Sequence, residues 1–274
     1  QSGYRAPVGS LNINRNRYQV RVRPASNIGG TPSVSFSPAA RGLKIVNSAK
    51  TAAGRKDRLS IILKWSPDGL PTLHISGSIG VRQRKGIGIA RLNEHPERWA
   101  AENFRTRLAK AGIRVPQSTE FKAEAPKNAQ ELARHSSPSL ATIVQTMLKF
   151  SDNQIAESML LAIGQSERPG YADGVSKIQS WLEQLGCSTN KVYTLNGSGL
   201  YDGGFGSALA ITRMLDLIHR REDLRNSFQK ALASPGRDGT LRRRMRSLPK
   251  GIVWGKTGTL NEVSTLCGYV LNKK

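Results

Sequence analysis

Residues 252–260, IVWGKTGTL, decide how the rest of the chain is read. Ile252, Val253 and Trp254 are β-branched or aromatic and favour a strand, while Gly255 and Gly258 bracket Lys256 and Thr257 so that another backbone can lie alongside. An amine, a hydroxyl and a residue without a side chain, in a row, can anchor a carboxylate and a peptide carbonyl. K-T-G alone is short and arises by chance in many chains. Its weight comes from Ser151-Asp152-Asn153, an S-x-N tripeptide at a break between two helical patterns. Before the break, Leu140, Ile143, Val144, Met147 and Leu148 fall at i, i+3, i+4, i+7 and i+8, which predicts an inward-packing face. After it, Ala156, Met159, Leu160 and Ile163 form a second stripe. Side-chain oxygens at the break can cap free backbone N–H groups, and capping alone would explain the tripeptide taken in isolation.

S-x-N and K-T-G are two of the three signatures of penicillin-recognising serine enzymes. Three longer stretches stand with them: HSSPSLATIVQTMLKFSDNQIAESMLLAIG (135–164), NGSGLY (196–201) and RDGTLRRRM (237–245). Together, over residues 7–274, they resemble the D-alanyl-D-alanine carboxypeptidase/endopeptidase family of the peptidase S13 type, the class C low-molecular-mass penicillin-binding proteins. The resemblance implies an α/β (α+β) fold of the serine β-lactamase/transpeptidase-like kind, an antiparallel sheet flanked by helices, with a β-rich inserted domain. It implies acyl-enzyme hydrolysis of peptidoglycan stem peptides, β-lactam binding in the intact family, and a periplasmic or otherwise extracytoplasmic location. As catalytic residues it implies Ser151 in a proton relay, Asn153 on the substrate backbone, and Lys256 supplying positive potential near Ser151 and the substrate carboxylate. As substrate-binding residues it implies Thr257 and Gly258 along the peptide's edge and Thr259 near the carboxylate or oxyanion. No metal or organic cofactor is implied, since serine acyl transfer needs neither. Where the family's 196-loop begins with aspartate this chain has Asn196, so a carboxylate contact there is weakened or replaced.

The chemistry needs a third element, S-x-x-K, whose helical spacing puts a lysine amine beside the attacking hydroxyl. Ser227-Phe228-Gln229-Lys230 matches literally, but the family order is S-x-x-K, S-x-N, K-T-G, and this match lies between the last two without matching flanks. Ser198 does not meet G-x-S-x-G and reads as part of a structural loop. The nucleophile is therefore expected upstream of Gln1 and further family elements beyond Lys274, so the chain reads as an internal piece that does not turn over.

A chain of 274 residues, 38% hydrophobic, can bury a substantial core. Its formal charge of +23 attracts polyanions and leaves open a peripheral association with an anionic membrane or wall surface. Specific nucleic-acid binding lacks helix-turn-helix, zinc or aromatic ribonucleoprotein signals. A non-catalytic peptidoglycan-binding protein is the alternative to an enzyme. Cys187 and Cys267 read as ordinary small buried residues.

Leu11, Ile13, Tyr18, Val20 and Val22 alternate around Asn14–Asn16 and predict two short strands or a hairpin. Strands are expected over 59–65 and 72–81 around a Pro67-Asp68-Gly69 turn, and a helix from Pro96 with Ala100, Phe104, Leu108 and Ala111 recurring at helical spacing and Gly112 closing it. Element types shift at 23/24 and 90/91. With these shifts, the resemblance implies catalytic-domain strands or a junction (1–23), part of a β-rich inserted domain (24–90) and the penicillin-binding transpeptidase-like catalytic domain (91–274). The consecutive Arg242, Arg243 and Arg244 read as a solvated face that also helps orient the segment before the K-T-G strand.

Overall fold

Alternation in RYQVRVR builds the first strand. In the computed structural model, which describes residues 8–9, 11–38, 43–66, 71–93, 95–115, 127–164, 170–187, 192–200 and 204–272, β1 (Arg17–Arg23) buries Tyr18, Val20 and Val22 and exposes Gln19, Arg21 and Arg23. The chain divides into two compact units, residues 1–129 and 130–274.

The first unit adds β2 (Ser33–Ser37), β3 (Lys44–Asn47), β4 (Lys50–Ala52), β5 (Asp57–Trp65), β6 (Pro71–Gly80), β7 (Ile87–Leu92) and α1 (Pro96–Lys110). β1 lies between β2 and β7, antiparallel to both. β6 pairs antiparallel with β5, and in parallel with β3 and then β4. The two sheets and α1 share one core: Val20, Val22, Leu73, Ile75, Ile79 and Trp99 are essentially sealed from water. Each such side chain contributes about 1.5–3 kcal/mol by leaving solvent. The Trp99 ring meets Phe36 at 5.7 Å and Trp65 at 6.4 Å, both edge-on.

One expectation is corrected here. Residues 11–13 form no strand: Asn14, Arg15 and Asn16 take φ of 51°, 58° and 49° in a 3-10 turn, and β1 pairs with β2 and β7 instead. Asparagine tolerates the left-handed region better than most residues, so the turn ends pairing before it starts. Helix α1 turns Trp99, Ala100 and Asn103 inward and leaves Phe104 61% exposed. The larger indole takes the core position. Gly112, at φ 81°, follows the helix end as read. The turn expected at 67–69 lies outside the described residues.

The second unit contains α2 (Leu140–Phe150), α3 (Asn153–Gly164), α4 (Tyr171–Gln184), β8 (Val192–Thr194), β9 (Gly204–Gly206), α5 (Ala208–Arg220), α6 (Glu222–Ala231), β10 (Val253–Thr259) and β11 (Ser264–Val270). Ser139 and Ser207 accept N–H bonds from Thr142 and Ala210 and so cap α2 and α5. β10 and β11 pair antiparallel, with Lys256 opposite Cys267. Leu160, Leu182, Leu215, Leu232 and Leu241 are buried. The α2 stripe is helical as read, but Ile143, Val144, Met147 and Leu148 are half-buried and Leu140 is exposed. Cys187 is buried as expected, whereas Cys267 is half-buried. No helix among the described residues is long and apolar enough to cross a membrane.

Candidate active site

Two helices meet at Ser151-Asp152-Asn153, and each residue of the tripeptide has a separate structural job. Ser151 ends α2 in the left-handed conformation, φ 53° and ψ 54°, with its N–H donated back to the Met147 carbonyl. The Asp152 N–H reaches the same carbonyl at 3.0 Å. Asp152 is buried, and its Oδ1 accepts the N–H groups of Gln154 and Ile155 at 3.1 and 3.3 Å, capping α3. Asn153 opens α3, half-buried. The left-handed turn aims the Ser151 side chain outward, where it is exposed.

β10 carries Lys256 to meet it. Lys256 Nζ donates to Ser151 Oγ at 2.7 Å and to the Thr257 carbonyl at 2.5 Å. Burial pushes the Lys256 ammonium below its ordinary pKa, a shift partly opposed by Cys267 on the neighbouring strand. Burial likewise raises the Cys267 thiol, partly offset by Lys256. Thr257 is buried and donates its hydroxyl proton to Thr240 Oγ1 at 2.8 Å, so its side chain is held inside the second unit. Gly258 lies half-buried against the Thr265 side chain, and Thr259, at the strand's end, is exposed. The missing side chain at 258 makes room for Thr265 of β11.

The segment before β10 ties this strand to α2. Lys149, two residues ahead of Ser151, forms an ion pair with Asp238 and donates to the Leu232 carbonyl at 3.3 Å. Asp238 Oδ1 also accepts the Ser234 N–H at 2.9 Å, and Ala233 exchanges two backbone bonds with Gly255 of β10. Gly239, at φ 54°, permits the approach: a Cβ there would sit 2.3 Å from the Lys149 carbonyl oxygen. A closed circuit therefore runs from Ser151 through Lys149, Asp238, Ser234, Ala233, Gly255 and Lys256 back to Ser151. The 196–200 loop has its own anchor, Glu157 of α3, whose carboxylate accepts the N–H groups of Gly197 and Ser198 at 2.9 and 3.1 Å. The Asn196 amide accepts from Gly199 N–H at 2.7 Å and donates to the Leu200 carbonyl at 2.6 Å, a pairing that a carboxylate could not complete.

Ser227 spends its hydroxyl on the Leu224 carbonyl of its own helix, α6, and Lys230 is exposed. Ser247-x-x-Lys250 is a second literal S-x-x-K, but it lies in turns with Pro249 inside it, while Ser188-x-x-Lys191 falls outside the described residues. Neither Ser227 nor Ser247 is bonded to Lys256 among the described residues. Among the described residues, no three His, Cys, Asp or Glu side chains gather as a metal site.

The model of the D-Ala-D-Ala carboxypeptidase 3 (S13) family matches residues 1–274, the whole chain. The chain belongs to the S13 family. It is similar to the D-alanyl-D-alanine carboxypeptidase of Actinomadura sp. strain R39, 28% identical over 264 residues that cover 92% of this chain and 48% of that protein. It is also similar to D-alanyl-D-alanine carboxypeptidase DacB of Haemophilus influenzae, 28% identical over 200 residues, 70% of this chain and 41% of the relative. The crystal structure of penicillin binding protein 4 (dacB) from H. influenzae, complexed with a novel β-lactam, superposes with a TM-score of 0.78 at 23% identity. That match covers 98% of this chain and 62% of the other, and it shows the fold. The S13 chain spans about half the length of the curated relatives it matches.

Of the residues singled out in the sequence, Ser151 and Lys256 are in direct contact, Thr257 follows Lys256 and Asn153 lies two residues after Ser151. Thr240, Glu157 and the Lys149–Asp238 pair were not singled out. The stretch 237–245 contains two of these four residues, but nothing in its letters marks Asp238 and Thr240 as partners of distant residues.

Proposed function

We propose that this S13 chain forms the substrate-binding wall of a serine-type D-Ala-D-Ala carboxypeptidase/endopeptidase acting on peptidoglycan stem peptides by an acyl-enzyme route. The second unit belongs to the transpeptidase-like part, residues 24–90 of the first unit belong to the insert, and the attacking serine is none of the S-x-x-K matches described above. The observation that supports the reading is the 2.7 Å contact between Lys256 Nζ and Ser151 Oγ, made by two motifs far apart in the chain.

In this reading Lys256 holds the Ser151 hydroxyl oriented, leaving its own proton free to pass to the departing amine of the D-Ala-D-Ala bond. The ammonium, drawn partly out of water, also presents positive potential to the substrate's terminal carboxylate, which is stronger in a half-buried setting than in bulk water. Asn153 bonds the peptide backbone. The β10 edge at Thr257 and Gly258 pairs with it as an added strand, with Thr259 near the carboxylate or oxyanion. The setting is extracytoplasmic, where stem peptides are found, and β-lactams occupy the same wall.

The test is labelling by a fluorescent penicillin, together with D-alanine release from a stem pentapeptide. This chain by itself binds the peptide without being labelled, whereas the same chain joined to an upstream S-x-x-K helix is labelled and releases D-alanine. Peptide binding with no labelling in both forms would instead favour the non-catalytic wall-binding reading.

A further inference from the structure

The outward face of the β2-β1-β7 sheet has an unusual makeup. β1 presents Gln19, Arg21 and Arg23 along its centre. Their partners are all small: Ser37, Ser35 and Ser33 on β2, and Ala90 and Gly88 opposite Gln19 and Arg21 on β7. These serines, Gly88 and Ala90 are exposed. The stripe continues past Arg23 into the β6–β7 turn, because Gly86 packs against the Arg23 side chain. That turn adds exposed Arg82, Arg84 and Lys85. It is held in place by Arg82 N–H to the Gly54 carbonyl, Gly86 N–H to the Gln83 carbonyl and the Gln83 side chain to the Arg55 carbonyl, at 2.9, 2.7 and 2.9 Å.

Among the described residues no carboxylate pairs with this line. The described acidic residues of the first unit, Asp57, Glu97 and Glu102, belong to β5 and α1, and Arg21, Arg23, Arg82, Arg84 and Lys85 form no ion pair among the described residues. A face that served only solubility would mix both signs and carry longer neutral side chains. Here the arginines are flanked by hydroxyls on one side and by almost nothing on the other, which leaves the guanidinium planes accessible.

From this we infer that the outward face of the β2-β1-β7 sheet binds a linear, phosphate-bearing polyanion laid along β1, with Arg21, Arg23 and the 82–85 turn on successive phosphates and Ser33, Ser35 and Ser37 donating hydroxyl bonds beside them. Alternate strand residues recur at roughly 7 Å, which gives a straight row of charges rather than a patch. A linear polymer is favoured over other anions by what the face lacks. It carries no aromatic side chain on which bases could stack, since Tyr18 and Phe36 turn inward and stack on each other at 5.1 Å. It offers no helix to a duplex groove, and among the described side chains no large apolar one to a bilayer. The surface would hold the S13 chain on a polyphosphodiester while the second unit works on peptide.

The probe is poly(glycerol phosphate), titrated into the full 274-residue chain across a salt series. The variant Arg21→Gln/Arg23→Gln removes two exposed charges, and Arg243→Gln/Arg244→Gln, exposed in the second unit, removes the same number elsewhere. The first pair should weaken binding on the order of 25-fold at about 0.1 M salt and reduce the log–log salt slope by about 1.4, at roughly 0.7 per cation on a single-stranded chain. The second pair should leave both nearly unchanged. Amide NMR shifts on the unaltered chain should localise to residues 19–23, 33–37 and 82–90. Equal losses from the two pairs would reduce the effect to net charge and overturn the proposal. So would tighter binding to single-stranded DNA or to phosphatidylglycerol vesicles than to the polymer, or shifts confined to residues 237–250.

Discussion

Replacing Lys149 by Met keeps the aliphatic stem that packs at the end of α2 and removes only the ammonium. Two interactions disappear: the ion pair with Asp238 and the 3.3 Å bond to the Leu232 carbonyl. The Lys149 side chain is 16% exposed and that of Asp238 is 32% exposed, so the carboxylate left behind is partly rehydrated rather than stranded. A charge-assisted bond contributes about 1.5–3 kcal/mol, and partial exposure lowers this, giving a net loss of about 2 kcal/mol. For a chain of this size that is roughly 4–8 °C in the melting transition of the second unit. Lys149→Arg should recover most of it, because the guanidinium can reach the same carboxylate. Arg220→Met, which breaks an exposed pair with Asp216, is the comparison and should cost under about 0.5 kcal/mol. Differential scanning calorimetry with urea titration measures all three. The circuit through Asp238 to β10 further requires that Lys149→Met weaken stem-peptide binding although Lys149 lies outside the peptide-contacting set. A melting loss no larger than that of Arg220→Met, or unaltered peptide binding, would refute the reasoning.

Ser151→Gly should raise stability by about 1 kcal/mol, because glycine occupies φ 53° without the Cβ penalty, yet it should abolish peptide binding; calorimetry and titration separate the two effects. Gly239→Ala should cost about 2–3 kcal/mol in urea denaturation, since the added methyl meets the Lys149 carbonyl at a positive φ. Lys256 has a depressed pKa in the folded chain. Between that value and the ordinary lysine value the unfolded chain binds more protons, so stability attributable to this group rises with pH in that window. Lys256→Met should flatten that rise in pH-dependent denaturation and leave neutral-pH stability unchanged or higher. Glu157→Gln should loosen the 196–200 loop, costing about 1 kcal/mol and speeding amide exchange at Gly197 and Ser198.

The Ser151–Lys256 contact was legible in the sequence because both ends carry residue types that a chemical task demands, in motifs whose flanks match one family. The helix break at 151–153 was equally legible, since Asp is a strong cap and the apolar stripe restarts after it. What escaped reading depends on partners that only folding brings together. Nothing marks Lys149 as different from other lysines until Gly239 lets Asp238 approach it, and Thr240 gains meaning only when its hydroxyl meets Thr257. The α1 helix was legible from its spacing, but not which face it buries, which Trp99 sets by taking the core position. The hairpin expected at residues 11–22 failed because three successive left-handed residues ended the pattern, a backbone choice that apolar alternation does not register.

The central claim is that Ser151 and Lys256 form one wall built for a D-Ala-D-Ala end, and isothermal titration with a diastereomeric pair of peptides tests it most directly. A stem tripeptide ending in D-Ala-D-Ala should bind the chain, its L-Ala-L-Ala counterpart should not, and Lys256→Met should erase the difference. Equal binding of the two peptides, or D,D-selective binding that survives Lys256→Met, would contradict the account.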